Sequence, residues 1–281
     1  MSERFESSWL ALREAADAAA RDRALAARAG DWLAGRTTPL NIADLGAGSG
    51  ANPRFLAGCL PGPQRWRLID QDPGLLARAG ARLARTRDAD GHPIDHETCR
   101  QDLADIDAAV ADDTDLATAS ALFDLVSADW IDALAGRCAA VGCAVLWTLS
   151  VEGDWHFTGA DGNRIQDADD ALMLSLLQVH QAREKGLGRA LGGAAPDALR
   201  TAFARHRYNI AEAPSPWRLL PGAQQPLALA LLDGWQTALL EQAPGEHDRI
   251  LHWWHHRRAG IETGQLGIEV GHIDFYAEPP R

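Results

Sequence analysis

At 281 residues, 46% hydrophobic and 23% charged, the chain is long and apolar enough for a large core, and its composition excludes a disordered polypeptide. A formal net charge of −12 argues against a nucleic-acid partner, because affinity for polyanions rests on Lys and Arg neutralising phosphates. No run is apolar enough to span a bilayer, and Cys59, Cys99, Cys138 and Cys143 show no C-x-x-C spacing, so membrane, zinc and disulfide readings fall away and a cytoplasmic protein is expected.

The opening M-S-E-R-F-E-S-S-W-L mixes both charges without an apolar core and does not read as a targeting segment. Residues 5 to 35 carry Trp9, Leu12, Ala16 and Ala19 at helical spacing, which predicts one or two helices. Leu40 to Gly50, L-N-I-A-D-L-G-A-G-S-G, then reads as a buried parallel strand ending in a glycine turn, and Ala51 to Leu60 as the helix that follows. Strand, glycine turn and helix open a nucleotide-binding βαβ unit. Gly46, Gly48 and Ala51 satisfy the dinucleotide pattern G-x-G-x-x-G/A, so a nicotinamide enzyme is one reading. Asp44 speaks against it: a carboxylate beside the turn repels a pyrophosphate and favours a ligand carrying a sulfonium and an ammonium.

Asp44-Leu45-Gly46-Ala47-Gly48-Ser49-Gly50 resembles, without a gap, the first motif of the class I S-adenosylmethionine-dependent methyltransferases, an acidic residue followed by G-x-G-x-G. The resemblance implies S-adenosyl-L-methionine as cofactor, with Asp44, Gly46, Ala47, Gly48 and Gly50 around it. A leading helix over the cofactor is also implied, which makes Arg13 a contact; a packing helix with solvated charges is the plain alternative. R-W-R-L-I-D (65 to 70) reads as the second strand and ends on Asp70, near the spacing at which an acid meets a ribose. Gln71 sits beside it, while Asp72-Pro73 reads as a helix cap. A third strand is predicted over about 94 to 101. At its end the resemblance places Asp102 and Leu103 at the adenine; Asp102 as a helix cap is the other reading.

L-F-D-L-V-S-A (122 to 128) is taken as the fourth strand, running into Ser127-Ala128-Asp129-Trp130. By resemblance this is the motif beside the transferable methyl, with Ser127 at the cofactor. It lacks the N/D-P-P-Y/F sequence of many nucleic-acid and glutamine methylators and is closer to small-molecule enzymes. The fifth strand, 143 to 151, leads to Glu152, Trp155 and His156. Helical segments follow, and the alternating G-I-E-V-G-H-I-D-F-Y (267 to 276) closes the chain; the resemblance places it antiparallel between the fifth and sixth strands.

The expected fold is α/β: a Rossmann-like three-layer sandwich with a mostly parallel seven-stranded sheet, an antiparallel last strand and helical cap insertions. One domain is expected over 1–281, with an N-terminal helical segment (1–36), a cofactor-binding half (37–151), helical caps (152–207 and 224–262) and a closing strand (264–281). Trp130, Trp155 and Trp217, at or past expected strand ends, offer walls for a planar or cationic substrate, with ordinary packing as the alternative. Lys185 and Arg189, among glycines, offer a clamp for a carboxylate or phosphate, or simply flank a hinge. Asp129, Glu152 and His180 are candidates to take an acceptor's proton. His252, His255 and His256 share a helix face, but Arg257 and Arg258 beside them oppose a metal, and none is expected.

The function these residues point to is methyl transfer to a small-molecule O or N acceptor. An NAD(P)-dependent oxidoreductase and a methyltransferase-like cofactor-binding protein without transfer activity are the alternatives. The expected partners are a small-molecule methyl acceptor, with no nucleic acid and no membrane; a homodimer is compatible with the sequence.

Overall fold

The apolar run Leu40–Leu45 forms β1, buried along almost its whole length, as a strand covered on both faces must be. The computed structural model describes residues 7–165, 167–184 and 186–280. Around β1, four strands run parallel: β2 (Gln64–Asp70) and β3 (Asp95–Arg100) on one side, β4 (Leu116–Ser120) and β5 (Ala144–Gly159) on the other. The last strand, β9 (Leu266–Glu278), enters antiparallel between β5 and β7 (Asn209–Pro214). The order is therefore β3-β2-β1-β4-β5-β9-β7, with β6 (Arg164–Ile165) pairing off β5 and β8 (Trp217–Leu219) off β9. This is the Rossmann-like, mostly parallel sheet with an antiparallel closing strand that the sequence predicts; among the described residues the two short strands enlarge it to nine.

Helices cover both faces. On one, α2 (Arg23–Leu33), α3 (Ala51–Ala57) and α4 (Pro73–Leu83) bury Leu25, Leu33, Leu56, Leu76 and Leu83 against the sheet. On the other, α6 (Ala128–Val141) and α8 (Ala195–Arg205) bury Ile131, Leu134, Leu199 and Phe203. A third apolar cluster lies under α1 (Ser7–Ala20), α7 (Ala168–Gln181), α9 (Gln225–Gln242) and α10 (His247–Glu262), where Trp155, Trp217, Trp235 and Trp253 are all buried. The buried Arg257 guanidinium is tied there to Asp167 and Asp170, and Trp253 also donates to Asp170.

Two expectations are corrected. The fourth strand is not Leu122–Ala128 but Leu116–Ser120; Phe123–Leu125 is a short 3-10 turn, and Ser127 caps α6 by accepting from Trp130 N–H at 3.3 Å. L-A-T-A-S carries small side chains and is less apolar than the run after it, yet it pairs with β1 and β5. Residues 152–159 are not helical cap either. They continue β5 past two register shifts, because β9 is long enough to pair with the whole strand.

Candidate functional site

The carboxyl ends of β1 to β4 open into a cleft of about 950 Å³, lined on one side by the glycine turn after β1 and on the other by α1. The turn needs glycine for two separate reasons. At Gly48 it is the backbone, φ 53°, a left-handed conformation that L side chains rarely adopt; the space would admit a Cβ, with Leu10 Cδ1 of α1 at an ordinary 3.7 Å. Gly50 caps α3 at φ 78°, where a Cβ would stand 3.1 Å from Ala79 of α4. Asp70, at the end of β2, braces the turn: its Oδ2 accepts from Gly48 N–H at 2.8 Å and its Oδ1 from Asp72 N–H at 2.9 Å. Asp72 in turn caps α4 through Gly74 and Leu75 N–H.

Asp44 is in the first motif but not on the cleft wall. Alternation along β1 turns its side chain inward, where it is 1% exposed. Its Oδ1 accepts from Asn52 Nδ2 and from Thr118 Oγ1, both at 2.7 Å. Burial outweighs those bonds and raises the carboxyl from an ordinary 3.8 to about 6. Asn52, which does line the cleft, carries the influence of Asp44 outward. Beside it Ala121, also on the wall, adopts φ 52°, a conformation costly for a residue with a Cβ.

The other wall was only partly legible. Leu10, Arg13, Asp17 and Arg21 follow one another along a single face of α1 and the residue just past it, and all line the cleft. Arg13 Nε donates to Asp17 Oδ1 and Oδ2 at 3.2 and 3.0 Å, and the guanidinium lies 4.8 Å from the Trp217 ring centroid. Arg21, 5% exposed, donates to Ser120 Oγ at 3.0 Å and Thr148 Oγ1 at 3.4 Å. The Arg-x₃-Asp-x₃-Arg spacing was the available signal for Asp17 and Arg21.

Of the residues expected at a cofactor, Gly46, Ala47, Gly48, Asp70, Gln71, Asp102, Leu103 and Arg13 stand on the cleft wall. Gly50, Asp44 and Ser127 lie behind it: Gly50 against α4, Asp44 in the core, and Ser127 as the cap of α6. Asp102 lines the cleft, but it is not the helix cap that was its other reading: it accepts from Ala104 N–H at 2.9 Å in the loop, and Asp105 caps α5 (Ile106–Ala109) by accepting from Ala108 N–H at 3.2 Å.

The expected substrate wall is not assembled. Trp130 is buried and donates from Nε1 to Leu103 O at 2.8 Å, which holds a cleft residue in place from behind. Trp155 stacks on Trp235 at 4.4 Å within the third cluster. Trp217 lies beneath Arg13, its Nε1 bonded to Asp17 Oδ1 at 3.0 Å. Arg189 is exposed and donates to Ala182 O, and Lys185 falls outside the described residues.

Nor do the three proton acceptors line the cleft. Asp129 is exposed in the first turn of α6, a consequence of the displaced fourth strand. Glu152 is an exposed residue of β5, its carboxyl raised by partial burial and by Asp154. His180 pairs with Glu241 at 3.2 Å on the helical side.

Fold and cleft together define the class: a Rossmann-like α/β protein with a cleft beyond the carboxyl ends of the central strands, where ligands of such sheets bind. Neither a family model nor a curated protein matches the sequence. Solved structures do match its path. The cyclopropane synthase MmaA2 from Mycobacterium tuberculosis is 14% identical, with 90% of this chain and 83% of that one covered and a TM-score of 0.44. Geranyl diphosphate C-methyltransferase from Streptomyces coelicolor A3(2), with S-adenosyl-L-homocysteine bound, is 11% identical over 92% and 80%, at 0.44. A phosphoethanolamine N-methyltransferase 2 of Haemonchus contortus, with S-adenosyl-L-methionine, is 15% identical over 91% and 52%, at 0.42. Likeness this distant says nothing of substrate or chemistry, which must come from the cleft's own residues.

Proposed function

We propose that the chain is an S-adenosylmethionine-dependent methyltransferase acting on a small-molecule oxygen or nitrogen acceptor. The reading is carried by the Asp70 carboxylate, which accepts from Gly48 N–H at 2.8 Å. In a dinucleotide site the N–H groups of this turn and of the helix after it face a pyrophosphate. An acid at this strand end also serves the ribose of a dinucleotide, but here Asp70 takes the Gly48 N–H that a pyrophosphate would use. The following helix, α3, is only 7 residues long and offers little dipole to a pyrophosphate. A ligand with a sulfonium and an ammonium is favoured by the same acid.

The residues present fit such a ligand. After its two turn bonds each Asp70 oxygen keeps a lone pair for a ribose hydroxyl. Asp102 and Leu103 would hold the adenine, and the Arg21 guanidinium, on the same wall, would hold the ligand's carboxylate. When bound, the cofactor supplies a methyl group on a sulfur that leaves as a neutral thioether. The chain aligns the acceptor behind that methyl and keeps water away, and with Asp129, Glu152 and His180 all off the wall, catalysis falls to alignment rather than to one of those bases.

Thermal shift and calorimetry with S-adenosylhomocysteine, NAD and NADP test the reading. S-adenosylhomocysteine at a hundredfold excess over Kd should stabilise the chain by ~2.7 kcal/mol, and the nicotinamide compounds should have no effect. Stabilisation by NAD or NADP without any by S-adenosylhomocysteine sinks it.

A further inference from the structure

The α1 side of the cleft carries two guanidiniums, Arg13 and Arg21, where a sulfonium cofactor brings one carboxylate. Arg21 reaches the end of β4 through Ser120 and the first half of β5 through Thr148, and is the one placed for the cofactor. Arg13, expected at the cofactor, lies instead over Trp217 of β8, which pairs with β9 on the far side of β5 from the turn, and that position takes it away from the cofactor.

The hold on Arg13 is specific. Asp17 takes Nε of Arg13 and Nε1 of Trp217 together, so one buried carboxylate fixes both the indole and the guanidinium lying on it. Because only Nε is engaged, neither terminal nitrogen of Arg13 hydrogen-bonds to any described residue, and the side chain, 13% exposed, lines the cleft. A guanidinium fixed on an aromatic face with both terminal amino groups unused is prepared for a bidentate oxyanion. Leu10, Leu125 and Leu187 supply apolar wall in the same cleft. Its volume of about 950 Å³ lies at the upper end of the ~300–1,000 Å³ of small-molecule sites.

We propose that the methyl acceptor carries an oxyanion, a carboxylate or a phosphate, gripped by the terminal amino groups of Arg13, with an apolar body against the leucines. Calling that ligand the acceptor rests on the methyltransferase reading; the oxyanion site itself does not.

The experiment titrates benzoate, phenyl phosphate and the neutral benzamide into the full chain, with and without saturating S-adenosylhomocysteine, by calorimetry at millimolar probe. At least one anion should bind ~10-fold or more tighter than benzamide, and whichever is preferred identifies the head group. Arg13→Gln should abolish the preference, Arg13→Lys should keep part of it, and S-adenosylhomocysteine affinity should stay within about twofold in both, which also certifies their folding. The proposal is overturned if the wild type shows no anion preference, if Arg13→Gln retains it, or if Arg13→Gln instead loses S-adenosylhomocysteine. If S-adenosylhomocysteine does not bind at all while an Arg13-dependent anion preference persists, the methyltransferase reading falls and the oxyanion site stands; circular dichroism then certifies the variants.

Discussion

Replacing Asp44 by Asn should make the stability of the chain respond differently to pH, and the size follows from its burial. Asp44 is fully enclosed, and its carboxyl is raised from 3.8 to about 6 mainly by desolvation. A group whose folded pKa lies above its unfolded value holds its proton more tightly when folded. Its stabilising contribution is therefore complete below about pH 4 and is lost as pH climbs through 6. The interval is about two units, so at ~1.4 kcal/mol per unit wild type loses ~3 kcal/mol across it that Asp44→Asn does not lose. With an unfolding entropy of ~2.1 cal/mol/K per residue, that is ~5 °C in Tm for a chain of this length. The Asn oxygen can still accept from Asn52 and Thr118, and any cost of placing its amide N–H₂ is constant with pH. The measurement is tryptophan fluorescence melting of both proteins from pH 4 to 7. The Tm difference, variant minus wild type, should rise by ~5 °C over that range. A flat difference would refute the claim that an ionised carboxylate is being held in the core.

Asp70→Ala should weaken S-adenosylhomocysteine binding by ~10- to 100-fold by calorimetry with the fold retained, since it removes both the ribose acceptor and the brace on Gly48; unchanged affinity would remove Asp70 from the site. Gly50→Ala should cost ~1–2 kcal/mol from the left-handed backbone alone, more with the Ala79 contact, and Tm should drop by at least ~2 °C. Arg257→Ala strands Asp170 as an unpaired buried carboxylate and should destabilise by ~3–5 kcal/mol, read as a shift in the urea midpoint; a shift under ~1 kcal/mol would mean that the helical cluster tolerates the lone charge.

The first strands of the sheet and the glycine turn were legible because their signals are local. A buried parallel strand, a turn that only glycine can make and an acid at the next strand's end are each written in a few adjacent residues, and the alternation of strand and helix fixes the sheet order. The fourth strand was misread because apolarity was the criterion, whereas Leu116–Ser120 earns its place by pairing with β1 and β5, information held in other segments. The tryptophans failed for a related reason. Lying at or past a strand end fixes neither which way an indole points nor what will cover it, and Trp155 turned to Trp235 while Trp217 slid under Arg13. The α1 face was the hardest to see, since a helix rich in Ala and Arg shows which residues share a side but not that the side meets a cleft.

Asp44 shows how a motif residue can matter without touching a ligand. From Thr118 the bonds run to Asp44, on to Asn52, across to Thr148 and then to Arg21, which reaches Ser120. That polar layer joins β1, β4, β5, α3 and the end of α1 beneath the cleft floor, and nearly all of it is out of contact with water. Arg21 is correspondingly lowered by burial, and Asp17, Asp274 and Asp44 act against that shift. The acid beside the glycine turn is thus one of the counter-charges that let an arginine stay ionised on the cleft wall, while Asp70 bonds the turn itself through Gly48 N–H. The two acids thus divide the work, one buried near an arginine and one bonded to the turn, and the sulfonium ligand proposed above, with its terminal carboxylate, would meet both charges.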